Sequence, residues 1–352
     1  MRTPDAQLLE SDYERKLLRQ VSRSFALTIP QLPSALRRPV TNAYLLCRIV
    51  DTIEDDESLS LDQKRFFFQE FIKVMDGKAS AKQFGDSLYP GLSGRTHPEE
   101  RELVRNTSSI VQTTLTFNGK QQAAINRCAT IMAQGMLEFQ EAKSLQGLKD
   151  LSTFDRYCYH VAGVVGEMLT ELFCEYSAKI SQERQRLLDR APSFGQGLQM
   201  TNIIKDLWED RAHGACWMPQ SVFQKVGYDL KDLSSGHFTE AFGEGVAVLI
   251  GLARDHLQNA LAYTLMIPRQ EKGIRKFCLW AIGMAVLTLR KIDKKRNYKG
   301  GQEVKISRRS VKAMILVTHA TLWSNLLLKK IFGLIVRGLP MSGDISGEHR
   351  AL

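Results

Sequence analysis

Apolar side chains recur every three or four residues along most of this chain, which is the spacing of helices with one buried face. Stretches of strict apolar/polar alternation, typical of half-buried strands, are scarce. We therefore predict an all-α fold. The predicted helices cover roughly residues 6–20, 34–56, 61–76, 98–117, 119–143, 153–177, 181–210, 239–264, 268–292 and 308–335.

Glycine and proline mark the breaks between these helices. No break is long enough, or different enough in composition, to indicate a domain boundary, and no internal repeat is apparent. We predict one all-α domain over residues 1–340. The last segment, MSGDISGEHRAL at 341–352, is predicted to be a disordered tail.

Composition and charge narrow the class of partner. The chain has 352 residues, of which 43% are hydrophobic, and a net charge of +10. Such a balance suits an anionic partner: nucleic acid, a membrane surface or a diphosphate substrate. No nucleic-acid reading module or zinc-finger spacing is recognisable, so nucleic acid is not expected.

Cysteine usage and hydropathy indicate the compartment. The six cysteines are widely spread and form no CxxC pair, which predicts reduced core residues of an intracellular protein. The longest uncharged apolar run, at 277–289, has 13 residues, whereas a membrane span needs about 20. We expect a cytoplasmic monomer, with a membrane surface as a possible peripheral partner.

Two short acidic segments carry most of the candidate chemistry. The first is DTIEDD at 51–56, in which Asp51, Glu54 and Asp55 share one helix face. Asp51 and Asp55 continue an apolar stripe that includes Leu36 and Cys47, where bare charge is costly unless it is paired or metal-bound. Magnesium is the natural candidate, because it takes a few carboxylates and completes its shell with water and phosphate oxygens.

The second acidic segment is DLWED at 206–210. Asp206, Glu209 and Asp210 again share a face, and Asn202 and Asp206 continue a row that begins at Leu198. An ordinary surface patch is a reasonable alternative for either segment alone, and a much weaker one for both together.

Other residues suit the same chemistry. The loop Ser22-Arg23-Ser24-Phe25 offers an arginine and two hydroxyls to phosphate oxygens. Arg48 suits either a phosphate contact or an ion pair with Asp51. Gly163 and Gly166 lie inside a predicted helix and indicate either close helix packing or space for a ligand.

Four segments carry a family resemblance: SRSF at 22–25, YLLCRIVDTIEDD at 44–56, YCYHVAGVVG at 157–166 and LQMTNIIKDLWED at 198–210. Together they resemble squalene synthases, within the squalene/phytoene synthase family, in order and in separation. The resemblance covers roughly residues 15–335. It implies an isoprenoid-synthase-type helical bundle around a central cavity, with the acidic motifs facing each other across its mouth.

The implied activity is head-to-head condensation of two farnesyl diphosphates through presqualene diphosphate, followed by NADPH-dependent reduction to squalene. The implied cofactors are Mg²⁺ and NADPH. No GxGxxG motif follows a strand, so NADPH would bind without a Rossmann unit.

The resemblance also implies roles for individual residues. The implied metal-binding residues are Asp51, Glu54, Asp55, Asp206 and Asp210. The implied substrate-binding residues are Ser22, Arg23, Ser24, Phe25, Tyr44, Arg48, Gln199, Asn202 and Arg211. The implied cofactor-binding residues are Arg23, Arg48, Lys205 and Lys305, and the implied catalytic residues are Tyr157, Arg48, Asp51 and Asp206.

Departures from the family pattern leave alternatives open. Lys205 and Ala215 stand where related enzymes commonly have arginine, and Ser307 stands where a basic residue is expected. Lysine keeps the charge and loses bidentate geometry. One alternative is a non-reducing or partial-reaction synthase that gives presqualene diphosphate, hydroxysqualene, dehydrosqualene or phytoene. Another is a non-catalytic scaffold with the same fold.

Overall fold

The computed structural model describes residues 4–22, 24–234 and 238–342, with side chains from residue 13 onward. Within these ranges the structure is helical, and its only β feature is an isolated bridge between Leu148 and Pro219. The α-helices in chain order are α1 (Pro4–Val21), α2 (Phe25–Thr28), α3 (Ser34–Asp55), α4 (Leu61–Met75), α5 (Ala81–Leu88), α6 (Pro98–Arg105), α7 (Thr107–Thr114), α8 (Gly119–Glu141), α9 (Leu151–Cys158), α10 (Val164–Tyr176), α11 (Ala178–Ser181), α12 (Arg184–Leu188), α13 (Ala191–Lys205), α14 (Leu207–Ala212), α15 (Gln220–Lys225), α16 (Glu240–Met266), α17 (Lys272–Lys294), α18 (Gly301–Val304), α19 (Arg308–Thr321) and α20 (Asn325–Val336).

Shorter turns connect several of these helices. A π-helical turn, Tyr159–Gly163, joins α9 to α10. Three 3₁₀ turns lie at Ile29–Gln31, Tyr89–Gly91 and Leu230–Asp232.

The long predicted helices are confirmed, and several predicted spans are divided. The span 98–117 breaks at Asn106, whose side-chain amide donates to the Glu102 carbonyl. The span 308–335 breaks before Ser324, whose hydroxyl caps α20 by accepting from Leu327 N. Helix α5 lies where a break was predicted, and Ser80 caps it in the same way. These local hydrogen bonds compete with helix continuation.

The chain forms two compact units. The first contains Met1–Glu141 and Glu167–Arg184, and the second contains Ala142–Gly166 and Gln185–Leu352. The assignment of residues 1–340 to one domain stays a prediction. In the predicted tail, Met341 and Ser342 are described and lie against α16, while residues 343–352 lie outside the described residues.

In the first unit, α3 packs against α4, α7 and α8. Its inward face is fully apolar at Leu45, Leu46, Ile49 and Val50, all with 0% exposure. Burial of such side chains stabilises the fold by about 1.5–3 kcal/mol each. The end of α3 that carries the first acidic segment is therefore held by this core.

In the second unit, α13 packs against α16, α17 and the π-helical turn. Helices α19 and α20 lie on α17, where Leu322 and Leu328 join Leu261 and Leu279 in one buried cluster. No described helix combines the length and apolar character needed to cross a bilayer.

Candidate active site

The first acidic segment forms the C-terminal end of α3. Glu54 is buried with 8% exposure, Asp51 is half-buried and Asp55 is exposed. The Glu54 carboxylate accepts a hydrogen bond from Gln140 Nε2 of α8 at 3.2 Å, and its backbone carbonyl accepts from Lys64 Nζ. The predicted inward-facing row is thus inward at Asp51 and reaches solvent at Asp55.

Arg48 lies between two carboxylates of the first unit. Its Nη1 is 3.4 Å from Asp51 Oδ2, and its Nη2 pairs with the carboxylate of Glu100 on α6. The ion pair with Asp51 that the sequence left open is therefore present. The Nε of Arg48 is buried and has no hydrogen-bond partner among the described residues. An orphaned guanidinium donor of this kind suits an incoming oxyanion.

Burial and neighbouring negative charges raise the pKa values of the Asp51 and Glu54 carboxyls. Burial raises the pKa of Asp51 to about 6, against the opposing effect of Arg48, and the nearby Asp55 carboxylate raises it further. Burial also raises the pKa of Glu54, and the charges of Asp55 and Asp51 add to the effect. A divalent cation would relieve this repulsion.

The SRSF segment contributes to the same unit. Ser22 Oγ accepts from Phe25 N at 3.0 Å, and the Phe25 ring lies 5.1 Å from the ring of Tyr44. Tyr44 donates its hydroxyl to the Val21 carbonyl at 3.1 Å, one turn of α3 before Arg48. Ser24 is exposed, and Arg23 lies outside the described residues. Ser22, Phe25 and Tyr44 are therefore brought together.

The second acidic segment begins at a break between two helices. Asp206 separates α13 from α14 with φ −96° and ψ 12°, which contradicts the predicted continuous helix over 181–210. Lys205 Nζ lies 2.9 Å from Asp206 Oδ2 and 3.2 Å from Asn202 Oδ1. Burial raises the pKa of Asp206, and Lys205 opposes that shift.

A loop clamps this segment from the other side. Tyr298 donates its hydroxyl to the Ile204 carbonyl, and Trp208 Nε1 donates to the Tyr298 carbonyl at 2.7 Å. Glu209 Oε1 accepts from Gly301 N at 2.9 Å. We call Tyr298, Gly300 and Gly301 the clamp loop. It fixes both ends of the Asp206 break.

Gly301 is the tightest point of the clamp loop. A Cβ atom built there would lie 3.0 Å from Asp206 Oδ1 and 3.2 Å from Glu209 Oε1. Helix α18 begins at Gly301, packs against α14 and ends just before the exposed Lys305. The structure thus brings the segment that carries Lys305 to the second acidic segment.

Tyr157 lies in the second unit on α9, beside the π-helical turn. It is buried, and its ring stacks on Trp217 with centroids 4.4 Å apart and planes 13° from parallel. A Cβ on Gly166 would lie 2.1 Å from Ala191 O of α13. Close helix packing therefore accounts for Gly166.

Arg211 and Gln199 complete the predicted set. The Arg211 guanidinium donates to the carbonyls of Leu145 at 2.8 Å and Leu233 at 2.6 Å. It therefore links two segments of the second unit. Gln199 is half-buried on α13, three residues before the exposed Asn202.

Sequence reasoning missed several partners of the acidic segments. Glu100 and Gln140 belong to helices with no recognisable motif, and each lies more than 50 positions from its partner. No local pattern signals them. The clamp loop had a weak signal, because the glycine pair Gly300-Gly301 marks a close backbone approach.

The donor chemistry fits magnesium. Asp51 with Asp55, and Asp206 with Asp210, offer hard oxygen ligands four residues apart. In the described parts of the chain, no three His, Cys, Asp or Glu side chains already converge as metal ligands. Magnesium commonly uses one or two carboxylates plus water and phosphate, so each pair suffices. The metal ligands stay a prediction.

Known proteins are similar to this chain in sequence and in fold. The squalene synthase of Gibberella zeae is 30% identical over 295 residues, which are 81% of this chain and 60% of that protein. The squalene synthase of Saccharomyces cerevisiae is 29% identical over 305 residues, 86% of this chain and 65% of that protein. The matches thus span about 60–65% of these relatives' lengths.

A solved structure of TcSQS with a bound ligand has a TM-score of 0.72 to this chain, at 23% identity. The similarity covers 93% of this chain and 91% of that one. The predicted all-α, isoprenoid-synthase-type fold is confirmed. A family model described as squalene/phytoene synthase matches residues 18–310. Because that match covers most of the chain, this protein belongs to the squalene/phytoene synthase family.

Proposed function

We propose that this protein joins two farnesyl diphosphates head to head through presqualene diphosphate and reduces the product to squalene with NADPH. One observation carries the proposal beyond family membership. At the end of α3, carboxylates whose pKa values are raised lie beside Arg48. The buried Nε of Arg48 has no hydrogen-bond partner among the described residues. That combination suits a divalent cation and an anion together, as in a magnesium diphosphate.

Binding is assigned to the two acidic segments. In the first unit, Asp51 and Asp55 would hold magnesium, and Arg48 Nε would donate to a diphosphate oxygen. In the second unit, Asp206 and Asp210 would hold magnesium, with Asn202 and Lys205 at the adjacent surface. Glu54, whose carboxylate accepts a hydrogen bond from Gln140 Nε2, is buried beside Asp51 and Asp55, and a bound cation would favour its ionised form.

The first half-reaction begins when the allylic C–O bond breaks and the diphosphate leaves with the electron pair. Magnesium, when bound, supplies charge neutralisation to that leaving group. Arg48 adds a charged hydrogen-bond donor. The double bond of the second farnesyl chain attacks the cation, and transfer of a proton to the released diphosphate closes the cyclopropane ring. Tyr157, held by stacking on Trp217, is assigned to this half-reaction.

The second half-reaction ionises presqualene diphosphate and rearranges its ring. NADPH, when bound, supplies the hydride that quenches the final cation. Lys205 and Lys305 would contact its phosphates, and both belong to the second unit. Arg23, the remaining cofactor candidate with Arg48, lies outside the described residues.

A second candidate is a synthase that omits the reduction. Ser307 favours it, because its hydroxyl caps α19 by accepting from Ser310 N, where related enzymes are expected to carry a basic side chain. Lys205 favours it as well, since its ammonium is taken by Asp206. These features weaken the NADPH contacts and leave Arg48 and the first acidic segment unchanged.

The deciding experiment incubates the purified chain with farnesyl diphosphate and Mg²⁺, with and without NADPH, and identifies the products by mass spectrometry. We expect squalene with NADPH and presqualene diphosphate without it. The same product under both conditions would replace the reductase assignment with the second candidate. No consumption of farnesyl diphosphate by a folded protein would exclude both.

We further propose that the protein is a monomer that works in peripheral contact with a membrane surface. Its substrate carries a farnesyl chain and its product is a hydrocarbon, and both partition into lipid. The net charge of +10 favours an anionic bilayer.

A further inference from the structure

The segment 304–340 contains seven basic side chains and no acidic one. It covers α19 and α20 and supplies +7 of the net charge of +10. All seven basic residues are exposed, and none forms an ion pair within the described part of the chain. They are Lys305, Arg308, Arg309, Lys312, Lys329, Lys330 and Arg337.

Large apolar side chains lie exposed among these charges. Leu316 is 69% exposed, Trp323 is 63%, Leu326 is 63% and Leu334 is 65%. Exposed apolar residues scattered singly need no explanation, but three on two consecutive helices, with Trp323 in the turn between them, do.

The exposed side chains follow the helical repeat. On α20, Leu326, Lys330 and Leu334 are four residues apart and share one face, with Lys329 beside them. The opposite face is anchored, because Leu328 is buried with Leu261 and Leu279 of α16 and α17. Helix α20 is therefore fixed to the protein by one side and presents an apolar and basic side to solvent.

We propose that the outward side of α19 and α20 is a docking surface for an anionic lipid bilayer. We call it the basic apolar face. Leucine and tryptophan side chains would enter the interface between headgroups and acyl chains, and lysine and arginine would reach lipid phosphates. The Trp323 indole N–H is already bonded to the Ala320 carbonyl at 2.7 Å, so inserting the ring leaves no unpaired donor.

Charge distinguishes between the partners that could bind the basic apolar face. A second copy of this chain would place two basic faces from acid-free segments together, which like-charge repulsion opposes. A neutral apolar partner would leave the exposed ammonium groups uncompensated. An anionic bilayer satisfies both kinds of side chain. The proposal rests on the membrane contact proposed above, and it is independent of the farnesyl-transfer chemistry.

The test is co-sedimentation of the full chain with vesicles of equimolar phosphatidylcholine and phosphatidylglycerol, and with pure phosphatidylcholine vesicles. We expect binding to the anionic vesicles that weakens at high salt. The charge reversal Lys329→Glu with Lys330→Glu is expected to weaken it by more than about tenfold, because each basic side chain near the surface contributes substantially. Trp323→Ser with Leu326→Ser is expected to weaken it at both salt concentrations.

Matched controls separate the face from bulk properties. Lys179→Glu with Lys225→Glu changes the net charge equally at exposed sites elsewhere, and Phe66→Ser removes another exposed aromatic ring. Both are expected to bind like the unmodified chain. If the control variants weaken vesicle binding equally, the protein binds membranes by another surface and the assignment to the basic apolar face is wrong.

Two further outcomes would overturn the proposal. If the unmodified chain does not bind anionic vesicles, both the proposed membrane contact and the proposed docking surface are wrong. If sedimentation velocity shows a dimer that disappears in Trp323→Ser with Leu326→Ser, the face binds a second copy instead. Farnesyl diphosphate turnover in detergent is expected to be unchanged by all these variants, which keeps a failure of catalysis distinguishable.

Discussion

Asp51 and Arg48 show how single residues are prepared for a charged ligand. Burial raises the pKa of the Asp51 carboxyl, and the nearby charge of Asp55 raises it further. Arg48 offsets part of that charge and keeps its Nε donor without a partner. Neither residue is arranged as a stabilising element would be, because a stabilising pair is normally fully satisfied.

Asp51→Asn and Asp206→Asn are each expected to lower turnover of farnesyl diphosphate by more than about a hundredfold, the scale for loss of a key electrostatic group. Their helical content and thermal midpoint are expected to change little, since amides are near-isosteric and carry no buried charge. Added Mg²⁺ and inorganic diphosphate should raise the midpoint of the unmodified chain and not that of Asp51→Asn. Circular dichroism and a product assay check this, and collapse of either variant would make these acids structural.

Arg48→Lys tests the arginine separately. Lysine keeps the charge but has no planar set of donors, so it cannot pair with Asp51 and Glu100 and still contact an oxyanion. We expect kcat/KM to fall by about tenfold or more, the value of one charge-assisted hydrogen bond. Arg65→Lys is the control, because Arg65 forms the same kind of pair with Asp62 and Glu141 on the surface. Equal losses in both variants would contradict the assignment.

Among the elements, the clamp loop is the clearest positioning device. Gly301→Ala would push a methyl group against Asp206 and Glu209, whereas a Cβ on Gly300 meets only Glu209 Oε1 at 3.8 Å. A displacement of an ångström at a catalytic group can cost about a hundredfold in rate. We expect Gly301→Ala to lower kcat by at least about tenfold and Gly300→Ala to retain most activity, with similar thermal midpoints. Steady-state kinetics of both variants is the measurement, and equal activity would remove the clamp loop from the mechanism.

Helix packing at the π-helical turn is tested by stability. In Gly166→Ala the added Cβ would overlap the backbone of Ala191, so α10 and α13 must separate. We expect the free energy of unfolding to fall by about 1–3 kcal/mol, as in other overpacked sites. In Gly333→Ala the Cβ has open space, and α20 should gain up to about 1 kcal/mol. Urea titration compares the two, and an undiminished Gly166→Ala would contradict the packing.

The periodicity of apolar residues was enough to predict the long helices, because their buried faces follow the helical repeat. It did not predict the breaks at Asn106 and Asp206, which interrupt otherwise regular patterns. The acidic segments and Arg48 were evident from local spacing. Glu100, Gln140 and Tyr298 were not, since they meet their partners through tertiary packing.

At the scale of the whole molecule, charge is distributed unevenly. Segment 304–340 holds most of the net positive charge, and the acidic segments lie outside it. Composition alone showed the excess charge and suggested three kinds of partner. The exposure of each side chain along α19 and α20 is what led us to propose the lipid-binding face there.

The burial of all six cysteines has a practical consequence. None forms a disulfide, as predicted, and burial raises the pKa of thiols such as Cys158 and Cys278. Cys47 belongs to the first unit and Cys216 to the second. Native protein should therefore resist iodoacetamide, and mass spectrometry of timed alkylation would read the opening of each unit separately. Cys47 and Cys216 would thus report the unfolding rates of the first and second units independently.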